Sequence, residues 1–117
     1  MPYRRTTSVV ISIVSLVCAA PSAGASTHRP IVSSAILSKA SRVATCEEGG
    51  WSHSVNGPTY FGSLGWLWST WQRWRAPSFP VNMFYASPQQ QSWAMAHFVK
   101  HELGGWWPDQ FGCTGGY

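Results

Sequence analysis

The sequence predicts a small α+β domain that is mostly helical, with a short irregular hairpin and one disulfide. Apolar residues recur at helical spacing over residues 34–48 and again over residues 88–103. Between them, residues 51–65 are rich in turn-forming residues and contain one short run suited to a β-strand. Two cysteines, one at the end of the first helical stretch and one near the C-terminus, are available for a bridge.

The first 25 residues have the pattern of a secretory signal peptide. Arg4 and Arg5 precede an apolar run from Val9 to Ala20, and Ala23-Gly24-Ala25 provides a small-x-small cleavage site. The run is shorter than the roughly 20 apolar residues that a membrane-spanning helix needs. We therefore expect a secreted protein that has no membrane contact once residues 1–25 are removed.

The remaining chain is expected to form one domain at residues 35–117, preceded by a short flexible lead at residues 26–34. A domain of this size buries little apolar surface and commonly needs a disulfide or a bound metal for stability. Cys46 and Cys113 remain after signal cleavage, and an even pair in a secreted domain is typical of a disulfide. In the chain-entropy model such a bridge stabilises the fold by about 4 kcal/mol. The alternatives are two free thiols or two metal ligands, which the absence of a CxxC spacing makes weaker.

Composition limits the class of partner. After signal cleavage six basic residues face four acidic ones, whereas a nucleic-acid binder carries a basic stripe. The balance is compatible with a weakly anionic polymer such as a bacterial wall. All eight tryptophans lie between Trp51 and Trp107, and indole rings at a surface commonly stack on sugar rings or line interfaces.

Capping residues mark the two long helices. The first is predicted from Ser34 to Glu48 and is ended by Gly49-Gly50, because glycine enters the left-handed conformation at little steric cost. The last is predicted from Pro88 to Leu103, with a capping box formed by Ser87 and Gln90. The apolar residues that this last helix is expected to bury are Met95, Phe98, Val99 and Leu103.

The middle of the chain is predicted to be less regular. Thr59-Tyr60-Phe61 is a candidate strand next to the turn Asn56-Gly57-Pro58. Leu67 to Trp74 is predicted to be a short helix with Trp71 in the core. Residues 75–86 show no period and are expected to form a surface loop, and residues 106–117 show no regular structure.

Glu47 is the candidate catalytic residue, at the end of the first helix. Neighbouring side chains on a helix point about 100° apart, so Glu47 and Glu48 cannot both face one site. Glu47 continues the apolar face, next to Cys46 and one turn from Trp51. This setting is expected to raise its pKa and keep it protonated as a general acid, with Glu48 as the solvated neighbour. From these residues alone, a helix-end glutamate is more often a surface charge than a catalyst.

The order of the motifs resembles a known family. The motifs are Cys46-Glu47-x-Gly49-Gly50-Trp51, Asn56-Gly57, Gly62-Ser63-Leu64-Gly65-Trp66-x-x-Ser69-Thr70-Trp71, Ser87-Pro88 with Gln90-Gln91, and Gly105-Trp106-x-Pro108-Asp109-Gln110-x-Gly112-Cys113. Together they are similar to the transglycosylase-like catalytic domain of actinobacterial resuscitation-promoting factors, over nearly all of residues 43–117. This chain departs from the family in three stretches. It lacks the asparagine usual before Trp51, it has Glu48 where serine is frequent, and it has Gly62-Ser63-Leu64-Gly65-Trp66 where the family commonly has Gly-Gly-Leu-Gln-Phe. The glutamine that Gly65 replaces is expected to line the sugar groove.

The resemblance implies a lysozyme-like fold and a secreted enzyme of cell-wall remodelling or resuscitation from dormancy. Its substrate would be the MurNAc–GlcNAc bond of peptidoglycan glycan strands, with Glu47 as the single catalytic acid/base. Lytic transglycosylation and lysozyme-type hydrolysis both stay open. The resemblance also implies a Cys46–Cys113 disulfide. The substrate-binding residues expected around Glu47 are Trp51, Asn56, Tyr60, Phe61, Ser63 and Thr70.

No cofactor and no metal are expected, and the protein is expected to be a monomer in the extracellular cell wall. A cell-wall endopeptidase is a candidate partner. His97 and His101 stand four residues apart and could share a metal, but the order HExxH is absent and no third ligand is evident. The alternative function is a non-catalytic peptidoglycan-binding or signalling protein with the same fold.

Overall fold

The computed structural model describes residues 30–106 and 110–113, with Gln110 described by its backbone only. The predicted signal peptide and residues 26–29 of the predicted lead lie outside the described residues. The described elements are α1 (Ser34–Glu48), β1 (Val55–Asn56), β2 (Tyr60–Gly62), β3 (Trp66–Leu67), α2 (Trp68–Trp74) and α3 (Pro88–His101), with 3₁₀ turns at Met83–Tyr85 and Gln110–Gly112. The predicted small α+β domain with one disulfide is confirmed for this part of the chain.

Helix α1 has the predicted bounds because its two ends are encoded locally. The hydroxyl of Ser33 accepts a hydrogen bond from the Ile36 N–H and caps the N-terminus. At the other end Gly49 has φ 89°, and the N–H groups of Gly49 and Gly50 donate to the carbonyls of Thr45 and Ala44. The face of α1 that is buried consists of Ala40, Val43 and Ala44.

Helix α3 begins with the predicted capping box. The Ser87 hydroxyl accepts from the Gln90 N–H, and the Gln90 side chain accepts from the Ser87 N–H. The helix ends at His101, two residues before the predicted Leu103. Among the four residues expected to be buried, Met95 and Val99 are buried, whereas Phe98 and Leu103 are half-buried.

The strands form a three-stranded antiparallel sheet in the order β1-β2-β3. Asn56 pairs with Phe61, which in turn pairs with Trp66 on β3. Strand β3 was not predicted, since two residues carry no measurable period. Gly62 ends β2 at φ 79°, where a Cβ atom would lie only 2.5 Å from Cγ of Met83. The sheet therefore approaches the core at a point where only glycine is accommodated.

The expectation of a surface loop at residues 75–86 is wrong where the segment enters the core. Phe79, Pro80 and Met83 are buried. The buried Trp71 indole donates to the Pro80 carbonyl at 2.9 Å and stacks on Phe79 with ring centroids 6.2 Å apart. The predicted core position of Trp71 is confirmed. The segment joins the core through tertiary partners, which a search for local periodicity does not detect.

The disulfide joins the end of α1 to the C-terminal tail. Cys46 and Cys113 are bonded, with their Cα atoms 5.8 Å apart and 67 positions apart in sequence. In the chain-entropy model a loop of this length corresponds to about 4 kcal/mol of stabilisation. Across residues 30–106 and 110–113, none of the helices combines the length and the apolar character that crossing a membrane requires.

Candidate functional site

A cavity of about 220 Å³ opens where the end of α1 meets the sheet. The half-buried Glu48 is the one acidic residue among those that line it. The other lining residues come from β1, the β1–β2 turn and the start of β2: Val55, Gly57, Pro58, Thr59 and Tyr60. The cavity thus combines one carboxylate with aliphatic walls and an aromatic ring.

Gly65 determines where the Glu48 side chain lies. It has φ 64°, and a Cβ atom built on it would be 2.7 Å from Oε1 of Glu48. This separation is shorter than any ordinary contact, so the carboxylate occupies space that a side chain at position 65 would need. Gly65 and Glu48, which both differ from the family pattern, therefore lie next to each other.

Glu47 is not among the residues that line this cavity, and its side chain lies against the disulfide. Its Oε1 lies 3.8 Å from Sγ of Cys113. Because this sulfur is disulfide-bonded and has no proton to donate, the approach is a packing contact. Partial desolvation, and secondly the negative charge of Glu48, raise the pKa of Glu47 above its ordinary value of 4.5. The direction of the shift agrees with the prediction.

The relative exposure of the two glutamates differs from the prediction. Glu47 is exposed and Glu48 is half-buried, whereas Glu48 was expected to be the solvated neighbour. The reason is the packing of Glu48 against Gly65, which the sequence pattern does not reveal.

Three of the predicted substrate-binding residues, Asn56, Tyr60 and Phe61, belong to strands β1 and β2. Tyr60 lines the cavity and is 54% exposed. Phe61 is half-buried and makes an edge-on contact with Trp68, with ring centroids 5.2 Å apart. Asn56 is exposed, and its Oδ1 accepts from the Asn82 side chain.

Trp51, which was also predicted to bind substrate, has a structural role. Its indole N–H donates to the Ser41 hydroxyl at 2.8 Å, and the half-buried ring packs against the core. It thereby ties the segment after α1 back to that helix.

Ser63 and Thr70 are not placed as expected. Ser63 is 2% exposed, its N–H donates to the Gln91 side chain, and its hydroxyl donates to the Trp51 carbonyl. These contacts make Ser63 part of the internal framework. Thr70 lines a different cavity, of about 260 Å³, between α2 and the end of α3. Neither residue is brought to the cavity wall that contains Glu48.

The cavity-lining residues that the sequence interpretation missed are Glu48, Val55, Gly57, Pro58 and Thr59. The available signals were the departures from the family pattern at residues 48 and 65. Each was noted separately, but nothing in a single sequence connects them.

The described residues offer little for a metal. The group of three potential ligands found among them is Cys46, Glu47 and Cys113, and its two sulfur atoms are consumed by the disulfide. The rings of His97 and His101 stack with centroids 5.9 Å apart, and the Trp93 ring centroid lies 4.0 Å from that of His97. Desolvation, then the nearby His101 and Lys100, lowers the pKa of His97.

A comparison of the chain with models of protein families, with curated proteins and with solved structures finds no match in any of the three. Fold and site together define a class, a disulfide-linked α+β domain with a cavity that is lined by one glutamate and one exposed tyrosine. The resemblance to the resuscitation-promoting factors rests on the sequence motifs alone.

Proposed function

We propose that the protein is a secreted enzyme that cleaves the MurNAc–GlcNAc bond of peptidoglycan glycan strands, with Glu47 as the catalytic acid/base. The observation that carries the proposal is the exposed Glu47 with a raised carboxyl pKa, adjacent in sequence to Glu48, which lines a cavity together with Tyr60. A raised pKa favours the protonated form that a general acid needs. The order of the family-like motifs supports the same activity.

In the proposed mechanism Glu47 donates its proton to the glycosidic oxygen, and the bond to the anomeric carbon breaks through an oxocarbenium-like transition state. The Glu47 carboxylate then accepts a proton from the nucleophile. With water as nucleophile the product is a reducing end. With the muramyl 6-hydroxyl the product is an anhydro ring. In both routes the carboxyl group gives one proton to the leaving oxygen and takes one from the nucleophile, so a single group acts first as acid and then as base.

The described acidic residues elsewhere do not supply a second catalytic carboxylate. Glu102 accepts a hydrogen bond from the Trp74 indole at 3.0 Å and pairs with Arg73 at 3.7 Å. It lines the other cavity, beside α2. Asp109 lies outside the described residues. The single-acid scheme therefore agrees with the placement of Glu102.

A non-catalytic peptidoglycan-binding or signalling protein is the second candidate. One observation favours it: the cavity wall contains Glu48, and Glu47 is not among the lining residues. Such a cavity can retain a glycan without bringing an acid to the scissile bond.

The deciding experiment compares the secreted wild-type protein with Glu47→Gln and with the control Glu102→Gln, which removes a carboxylate at the other cavity. Each is incubated with purified peptidoglycan, and soluble muropeptides are measured by mass spectrometry. We expect release by wild type and by the control. Loss of the acid should slow release by about 100-fold or more. Background release by all three proteins would refute an enzyme, and anhydro-muramyl or reducing ends identify the reaction.

A further inference from the structure

Glu48 is one of the residues that line the 220 Å³ cavity. Its carboxylate is therefore close to any ligand that occupies this cavity. Across residues 30–106 and 110–113, it forms no hydrogen bond and no salt bridge. A carboxylate without a partner in the protein can accept hydrogen bonds from a ligand that carries donors.

The surroundings of this carboxylate suit a sugar ring, which has both apolar C–H faces and polar groups at its edge. Tyr60 lines the cavity, and Leu67 pairs with it across β2 and β3. The two side chains are 54% and 47% exposed, so an apolar strip continues from the cavity along the sheet. A pyranose has C–H faces that pack on aromatic and aliphatic surface. Its edge has hydroxyl and amide groups that donate to a carboxylate.

We propose that Glu48 is a substrate-binding residue of this groove. Its carboxylate accepts hydrogen bonds from hydroxyl and acetamido N–H groups of an N-acetylated sugar. Gly65 leaves room for this carboxylate, because a Cβ atom at position 65 would lie 2.7 Å from its Oε1. This inference rests on the proposed action on glycan strands and assigns a second glutamate to it, with a role in binding and not in proton transfer.

Gly65 provides a matched pair of variants. Gly65→Ala places a methyl group 2.7 Å from the carboxylate oxygen and must displace it. Gly104 has a similar positive φ, 78°, and a methyl group added by Gly104→Ala would meet no atom within 4 Å. Both substitutions carry similar backbone strain, so a difference between them reports displacement of Glu48.

Binding is measured with tetra-N-acetylchitotetraose in the secreted protein carrying Glu47→Gln, so that the probe is not cleaved and Glu47 does not titrate. Tryptophan fluorescence follows the titration, and circular dichroism checks that each variant is folded. We expect Glu48→Gln and Glu48→Ala to raise Kd on the order of tenfold or more. Glu48→Asp should recover part of the affinity. Gly65→Ala should raise Kd, whereas Gly104→Ala should leave it unchanged.

Kinetics on peptidoglycan separate binding from proton transfer. In the protein that retains Glu47, we expect the Glu48 variants to raise KM more than they lower kcat. Wild-type cleavage combined with unchanged Kd and KM in the Glu48 variants overturns this inference and leaves the proposed function intact. Binding that depends on Glu48, without cleavage by wild type, supports the inference and overturns the enzyme. A wild-type protein that neither binds nor cleaves overturns both. Equal effects of the two glycine variants overturn the role of Gly65.

Discussion

Replacing Gln91 with methionine tests the link between α3 and the rest of the core. Gln91 is 2% exposed, and its side chain bridges two other segments of the chain. Its Oε1 accepts from the Ser63 N–H and its Nε2 donates to the Ala86 carbonyl, each at 3.0 Å. Methionine has a similar length but forms neither bond, so a buried donor and a buried acceptor lose their partner.

The expected decrease in the free energy of unfolding follows from the Ser63 N–H and the Ala86 carbonyl, which both lose their partner. An unsatisfied buried donor or acceptor costs about 1–3 kcal/mol. Part of this cost is offset because methionine is apolar, so we expect the free energy of unfolding to fall by about 3 kcal/mol. For a domain whose total stability is roughly 5–15 kcal/mol, this is a large fraction.

The assay is urea unfolding of the disulfide-bonded protein, followed by tryptophan fluorescence. Gln89→Met, at a half-buried position of the same helix, is the control and should change the free energy of unfolding by less than about 1 kcal/mol. If Gln91→Met also stays within about 0.5 kcal/mol of wild type, the bridging role assigned to Gln91 is refuted.

Three further predictions follow from charge and burial. Glu48→Gln removes a negative charge that raises the pKa of Glu47. Since the proposed acid works in its protonated form, the alkaline limb of the kcat–pH profile should move to lower pH. An unmoved limb would contradict the contribution of the Glu48 charge to the Glu47 pKa. Desolvation, as the largest cause, lowers the pKa of His97 from its ordinary value of 6.5. The unfolded chain therefore binds this proton more tightly than the folded protein does. The free energy of unfolding consequently falls as the pH drops from 6.5 toward the lowered pKa. His97→Gln should therefore lose less in Tm than wild type between about pH 7.5 and pH 5 in calorimetry, and equal losses speak against it. Ser92 is fully buried, and its hydroxyl has no hydrogen-bond partner among the described residues. Ser92→Ala should raise the free energy of unfolding by about 1 kcal/mol in urea unfolding, and a decrease would reveal a partner of the hydroxyl.

The parts of the fold that were predictable are those with local signals. The capping box of Ser87 and Gln90 and the glycine cap at Gly49 are formed by residues within one or two turns of each helix end. The disulfide was predictable because two cysteines lie beyond the predicted signal peptide. Strand β3 and the buried segment around Phe79 were missed, since their places depend on contacts with residues distant in sequence.

The candidate site was predictable in part. Tyr60 was expected in the groove and lines the cavity. Ser63 was expected to contact substrate, but its N–H and hydroxyl serve internal hydrogen bonds. Its neighbours in the motif give no sign of this, because the partner of its N–H, Gln91, belongs to a different element.

The sequence by itself determined that two adjacent carboxylates end α1 beside a disulfide cysteine and that they point in directions about 100° apart. Which of them lies in the cavity wall was decided by the tertiary structure. The rotation of α1 about its axis depends on how its apolar face packs in the core, and the side chain then needs open space on the sheet side. Gly65 supplies that space to Glu48, and Glu47 is left against the disulfide.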